Sequence, residues 1–243
     1  IFFGPQTHTA RGVSMETVIH GLHRACEDAQ REWGISAALI LCFLRHLSEE
    51  DAFATLEQAL PFQDQFIGVG LDSSELGHPP EKFERVFARC RELGLHRVAH
   101  AGEEGPPAYI WSALDALGVE RIDHGVQALK DDALVARLAR ERMALTVCPL
   151  SNQKLCVFPD LAEHNLRALL DAGLCATVNS DDPAYFGGYI NDNFLQVFAA
   201  TGMTSVHAWQ LASNSFEASF APEADKRAWM ARLQSVFSDF SAL

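Results

Sequence analysis

Long hydrophobic runs are missing from this chain: none approaches the roughly 18–20 apolar residues of a membrane-spanning helix. Runs of Lys and Arg are missing too. With 19 basic residues against 32 acidic ones the formal net charge is −13, so a nucleic-acid backbone is repelled on average and is not an expected partner. No C-x-x-C pair occurs among Cys26, Cys42, Cys90, Cys148, Cys156 and Cys175. Most of them sit in apolar contexts, as reduced buried thiols of a reducing, cytoplasmic compartment do. No G-x-G-x-x-G follows the first apolar segment, which leaves a dinucleotide-binding open sheet with little support. The opening "IFFGPQTHT" has neither the basic n-region nor the long apolar h-region of a signal peptide, and it starts abruptly on a strand-like triplet.

What is present is an ordinary globular composition, 48% apolar and 21% charged over 243 residues. That length buries a sizeable core, and residues 1–243 are expected to form one domain. Apolar segments at 1–3, 38–42, 66–71, 97–101, 121–124, 144–147 and 176–180 are predicted strands. Between them, amphipathic patterns predict helices over 15–33, 48–60, 81–93, 108–117, 131–142 and 161–172. Gly34, Gly94, Gly118 and Gly173 stand where left-handed helix ends are expected. Strict β–α alternation implies a parallel sheet with helices outside. Because the predicted strands end in His, Asp, Glu and Ser, the expected fold is α/β, a (β/α)8 barrel of the TIM type, whose sites lie at that rim. Seven strands are counted where a closed barrel of this type has eight.

Four strand ends carry chemistry: "HAGEEG" at 100–105, "DHG" at 123–125, "CPLSN" at 148–152 and "NSDDP" at 179–183. A lone histidine at a strand end is more often a satisfied structural residue. Two at consecutive strand ends, with a glutamate and a pair of aspartates, make separate structural explanations multiply to something small. A divalent metal with His and Asp ligands, a Glu acid and a His base accounts for the set at once. Ser151 and Asn152 fit pocket scaffolding or simple turn chemistry equally well. His8, after the first strand, lines the mouth or serves structure alone. Gly187 and Gly188 fit a sharp turn into a helix.

The segments "HAGEEGPPAYIW", "RIDHGV", "CPLSN" and "NSDDPAYF" resemble the signatures of the zinc-dependent adenosine/adenine deaminases, in order and over essentially the whole chain. By that resemblance His100 and Asp181 are zinc ligands, and Glu103 is the acid that protonates ring N1. His124 orients the attacking water and takes its proton, and Asp182 holds the purine at N7. The resemblance implies Zn2+ as cofactor, a small-molecule purine as partner, no membrane, and a homo-oligomer as a possible assembly. Zinc lowers the pKa of water toward neutrality. Burial of Glu103 would raise its pKa for the acid role.

Residues 70–83, "GLDSSELGHPPEKF", resemble the adenine branch, whose pattern reads S-E-x-G-N-P-P, with His78 in place of the Asn. Ser74 and Glu75 are expected to bind substrate there. A carboxylate such as Glu75 can accept the N–H that free adenine carries where adenosine carries ribose; a solvated loop acid is the bland alternative. The implied reaction is hydrolysis of adenine to hypoxanthine and ammonia. Deamination of adenosine and a non-catalytic barrel fragment are the alternatives. The family's first strand carries H-x-H, which occurs nowhere here. A chain starting at Ile1 is thus expected to lack the first strand and helix, and to bind zinc weakly if it stood alone. Another metal-dependent amidohydrolase would need a bridging Lys at a strand end, and Lys82, Lys130, Lys154 and Lys226 are not so placed.

Overall fold

The computed structural model describes residues 1–241, and the chain divides into two compact units, Ile1–Glu120 and Arg121–Leu243. The first unit carries four parallel strands, β1 (Phe2–Phe3), β2 (Ile40–Leu44), β3 (Gly68–Asp72) and β4 (His96–Ala101). Sequential neighbours pair: Phe2 lies opposite Ile40, Ile40 opposite Gly68, and Gly68 opposite His96. Its helices are α1 (Gln6–Thr9), α2 (Met15–Trp33), α3 (Glu49–Ala59), α4 (Glu84–Glu92) and α5 (Pro107–Ser112). Ile40, Leu41, Cys42 and Phe43 are all buried. A parallel strand covered on both faces therefore reads as an unbroken apolar run rather than an alternation. Ser14 caps α2 by accepting from the Thr17 N–H, and Ser48 and Asp51 close a reciprocal capping box on α3.

The second unit holds β5 (Arg121–His124), β6 (Ala144–Val147) and β7 (Cys175–Val178), again parallel with sequential neighbours paired. Around them run α6 (Asp132–Glu141), α7 (Pro149–Lys154), α8 (Leu166–Asp171), α9 (Pro183–Phe186), α10 (Ile190–Thr201), α11 (Ser205–Glu217) and α12 (Glu223–Ser241). Asn214 on α11 donates to the Ala176 carbonyl of β7 at 2.8 Å. α12 packs on α11 through the Phe216 and Trp229 rings, 5.6 Å apart. In each unit the strand order follows the chain without reversal. A doubly wound sheet turns back at a switch point, whereas sequential order is the α/β pattern of a TIM-type barrel, the expected fold class.

Element ends differ by small amounts, the helices expected over 81–93 and 108–117 change helix type along their length, and one is broken outright. The strand expected over 38–42 begins at Ile40, and that over 66–71 begins at Gly68. The helix expected over 161–172 is broken into a 3-10 turn, Leu161–Glu163, and α8. Between them His164 is buried, and its Nδ1 accepts the Leu166 N–H at 3.1 Å. The side chain supplies a bond that a continuous helix would have made with its own backbone. Cys42, Cys90, Cys148 and Cys175 are buried, and burial pushes Cys90 up to about 12 and Cys175 to about 11, so both stay protonated thiols. No helix of the described residues is long and apolar enough to cross a membrane.

Candidate active site

In the first unit β4 ends in His100 and Ala101, and the chain turns through Gly102 at φ +71. Glu103 follows and is only 8% exposed. Its placement comes from another segment. Glu75, on the loop after β3 and 2% exposed, accepts the Gly102 N–H through Oε1 at 2.6 Å. Its Oε2 accepts the N–H groups of Glu103, Glu104 and Gly105 at 3.0, 2.9 and 2.9 Å. Successive amides converging on one anion are the backbone arrangement that holds phosphates elsewhere. Arg45, directly after β2 and fully buried, donates from Nε to the His78 carbonyl at 2.9 Å and from Nη1 to the His100 carbonyl at 2.6 Å. Partial burial, and then the charges of Glu103 and Glu75, raise the Glu104 carboxyl above its ordinary range.

In the second unit His124 closes β5 at φ 64 and Asp181 follows β7 at φ 56. Left-handed backbone at non-glycine residues costs on the order of 1–3 kcal/mol and gathers at functional positions. Ligand atoms of His124, Cys148 and Asp181 all lie within 4.8 Å of one another. Nitrogen, sulfur and carboxylate oxygen donors so grouped suit a divalent metal ion.

A second buried line of bonds reaches the His124 ring. Burial lowers His164 to about 4, so it is neutral at pH 7. Its Nδ1 accepts from Leu166, which leaves the proton on Nε2, 3.3 Å from Asn152 Oδ1. The Asn152 amide is thereby oriented, with Nδ2 facing His124 Nδ1 at 3.4 Å. A His124 ring that accepts from Asn152 at Nδ1 carries its N–H on Nε2.

The expected residues fall into these two groups. His100, Glu103 and Glu75 share the loops of the first unit, and His124 and Asp181 meet in the second. The Glu75 carboxylate, expected to meet a purine N–H, is engaged by four backbone amides. Ser74 is exposed beside Ser73, which holds φ 74 and whose hydroxyl lies 2.9 Å from His46 Nδ1. Asp182 is exposed; its Oδ1 accepts from the Ala184 and Tyr185 N–H groups as the N-cap of α9. His8 is exposed on α1, while the neighbouring Gln6 is buried and accepts the Leu44 N–H at 2.8 Å. Arg45, Cys148 and His164 were not singled out by their chemistry. The first two stand directly after strands, the same signal that marked His100 and His124; His164 was hidden inside an apparently continuous helix.

A family model described as adenosine deaminase matches residues 1–236. An adenine deaminase of Albidiferax ferrireducens is 70% identical over 240 residues, covering 99% of this chain and 70% of that protein. One of Ralstonia pickettii is 67% identical over 237 residues, covering 96% of this chain and 69% of that protein. The crystal structure of adenine deaminase from Arthrobacter aurescens superposes with a TM-score of 0.96 at 46% identity, over 98% of this chain and 73% of the other. An amidohydrolase from Burkhoderia ambifaria, solved with bound Zn, superposes at 0.92 with 28% identity, over 99% of this chain and 68% of its own. With strand-end residues, parallel topology and near-full-length likeness in agreement, the chain belongs to the adenosine deaminase family.

Proposed function

We propose that the protein catalyses hydrolytic deamination of adenine to hypoxanthine and ammonia. The observation that carries this reading is the 70% identity over 240 residues to an adenine deaminase. In the first unit His100 is assigned as a metal ligand. Glu103 delivers a proton to N1 of the purine, which makes C6 electrophilic toward water. In the second unit Asp181 is assigned as a ligand, and Asp182, whose Oδ2 is not used in capping α9, holds N7. His124 orients the attacking water through its Nε2–H. The role of taking the water's proton fits this tautomer poorly. Protonation at Nδ1 would set two donors, His124 Nδ1 and Asn152 Nδ2, against each other. The Cys148 thiol and Asp181 carboxylate, with His100 assigned as the imidazole ligand, support zinc as the metal, which when bound would lower the pKa of water toward neutrality.

Steady-state kinetics on adenine and adenosine, with metal analysis of the purified protein, test the reading. Turnover of adenine with about one zinc per chain is the expected result. Preference for adenosine would overturn the assignment of substrate, and full activity in a protein stripped of metal would overturn the assignment of cofactor.

A further inference from the structure

We propose that Glu75 is a positioning residue for Glu103, and that Glu75 and Arg45 join the loop after β3 to the loop after β4 as one mechanical piece. The joint has two fasteners. The first is the Glu75 carboxylate, which receives four consecutive amides, those of residues 102–105, at 2.6–3.0 Å. Such charge-assisted bonds are shorter and stronger than neutral ones, and here they are shielded from water. The second is Arg45, which bonds the His78 carbonyl on one loop and the His100 carbonyl at the root of the other. Burial opposes the Arg45 charge, and Glu75 is the foremost of the charges that support it. The loop after β3 is itself closed by the His78 N–H donating to the Glu75 carbonyl at 3.1 Å.

Two sequence features fit this joint. A Cβ on Gly105 would lie 2.7 Å from Glu75 Oε1, 2.8 Å from its Cδ and 2.7 Å from Tyr109 Cδ2, closer than real Cβ contacts come, so the approach of the carboxylate and of the Tyr109 ring requires glycine there. His78 contributes its carbonyl and N–H to the joint, contacts that do not depend on its side chain, in keeping with His standing where the adenine branch has Asn. Glutamine cannot replace Glu75 in kind, since its NH2 would face amide N–H groups that need an acceptor. The loop that distinguishes the adenine branch therefore bears on the reaction by holding Glu103 in place.

The significance for catalysis rests on the deaminase reading; the joint itself does not, and the experiment separates the two. Glu75→Gln and Glu75→Asp are compared with the parent in the intact, metal-loaded protein, with Gly105→Ala as a variant that presses on the same carboxylate while keeping its charge. Kinetics on adenine and adenosine are measured together with amide hydrogen exchange. In Glu75→Gln the expected kcat on adenine falls about 100-fold with KM within about threefold, because a misplaced acid costs rate rather than binding. The adenosine-to-adenine ratio stays as in the parent. Exchange at residues 102–105 quickens at least about tenfold while β2 and β3 stay protected, which a general loss of stability would not give. Glu75→Asp and Gly105→Ala fall between. A rise in KM of about tenfold with kcat retained, or a gain in relative adenosine turnover, would overturn the proposal in favour of direct contact with the base. Unchanged exchange at residues 102–105 would also overturn it. If the parent protein turns over no adenine, the deaminase reading fails while the exchange measurement still decides the joint.

Discussion

The loops after β4 and β7 both carry acids assigned to the reaction, yet they are held in opposite ways. Glu103 is buried, and its backbone is bound by a carboxylate 28 residues away in the chain. Asp181 and Asp182 are exposed and hold themselves: the Asp182 N–H donates to Asp181 Oδ1 at 2.8 Å, and Asp182 caps the helix that follows. The roles proposed for these acids account for the difference. A proton donor acts within a short reach of one ring atom, so a small misplacement is costly. A metal-ligating carboxylate gains its final geometry from the ion, so local bonds and a strained φ suffice beforehand. Precision is imported where chemistry demands it and supplied by the ligand where it does not.

Glu103→Gln breaks the comparison most sharply. The substitution keeps size and leaves the Glu75 joint intact, because the joint uses the Glu103 backbone N–H. Only the donated proton is lost. We expect kcat on adenine to fall about 10³-fold, within the range for a removed general acid, with hydrogen exchange at residues 102–105 unchanged. A variant retaining more than about a tenth of the parent rate would mean that N1 receives its proton elsewhere.

His164 tests whether the second unit also imports precision. Its pKa falls from 6.5 to about 4 on folding because burial penalises the charged ring. Between those values the unfolded chain binds the extra proton, so stability declines as pH falls from about 6.5 to about 4, by on the order of 3 kcal/mol. Denaturant titrations across that window should show the decline in the parent and a flatter profile in His164→Gln. The same variant keeps an N–H for Asn152, whereas His164→Leu removes it. We expect His164→Leu to lower kcat about tenfold more than His164→Gln. Equal rates for both would show that the His124 tautomer does not depend on this line of bonds.

How far the sequence disclosed all this varies with the type of information. Strand positions were legible because a buried parallel strand is an unbroken apolar run, and β5 and β6 fall on the residues expected. The helix of Met15–Trp33 was legible from its amphipathic pattern and from Gly34, which is left-handed at its end. Site residues were legible only as types at strand ends. Glu75 shows the limit. Its charge, loop and neighbours pointed to a ligand, while its true partners are four amides whose positions depend on how β3 and β4 pair. Backbone donors leave no trace in residue identity, apart from the glycine at 105. His164 shows a second limit, since its burial and bond to Leu166 override a helical pattern that reads as continuous.

The smallest expected effect sharpens the comparison at Asp182, where one side chain has a structural and a proposed chemical task. Oδ1 accepts from Ala184 and Tyr185 at 3.1 and 3.2 Å, while Oδ2 is assigned to the purine. Asparagine keeps an oxygen that can cap α9 and gives up the charge; alanine gives up both. Caps of this type contribute about 0.5–2 kcal/mol in longer helices, and α9 has only four residues, so the low end applies. Asp182→Asn should therefore hold parental stability within about 0.5 kcal/mol, and Asp182→Ala should lose about 0.5–1 kcal/mol. If the ionised carboxylate accepts from an N7–H, both variants weaken adenine binding, because the Nδ2 of asparagine then faces a donor; if a protonated Asp182 donates to N7, asparagine keeps a donor and only alanine weakens binding. If Asp182 serves only as a cap, KM follows stability instead, and the asparagine variant binds adenine as the parent does.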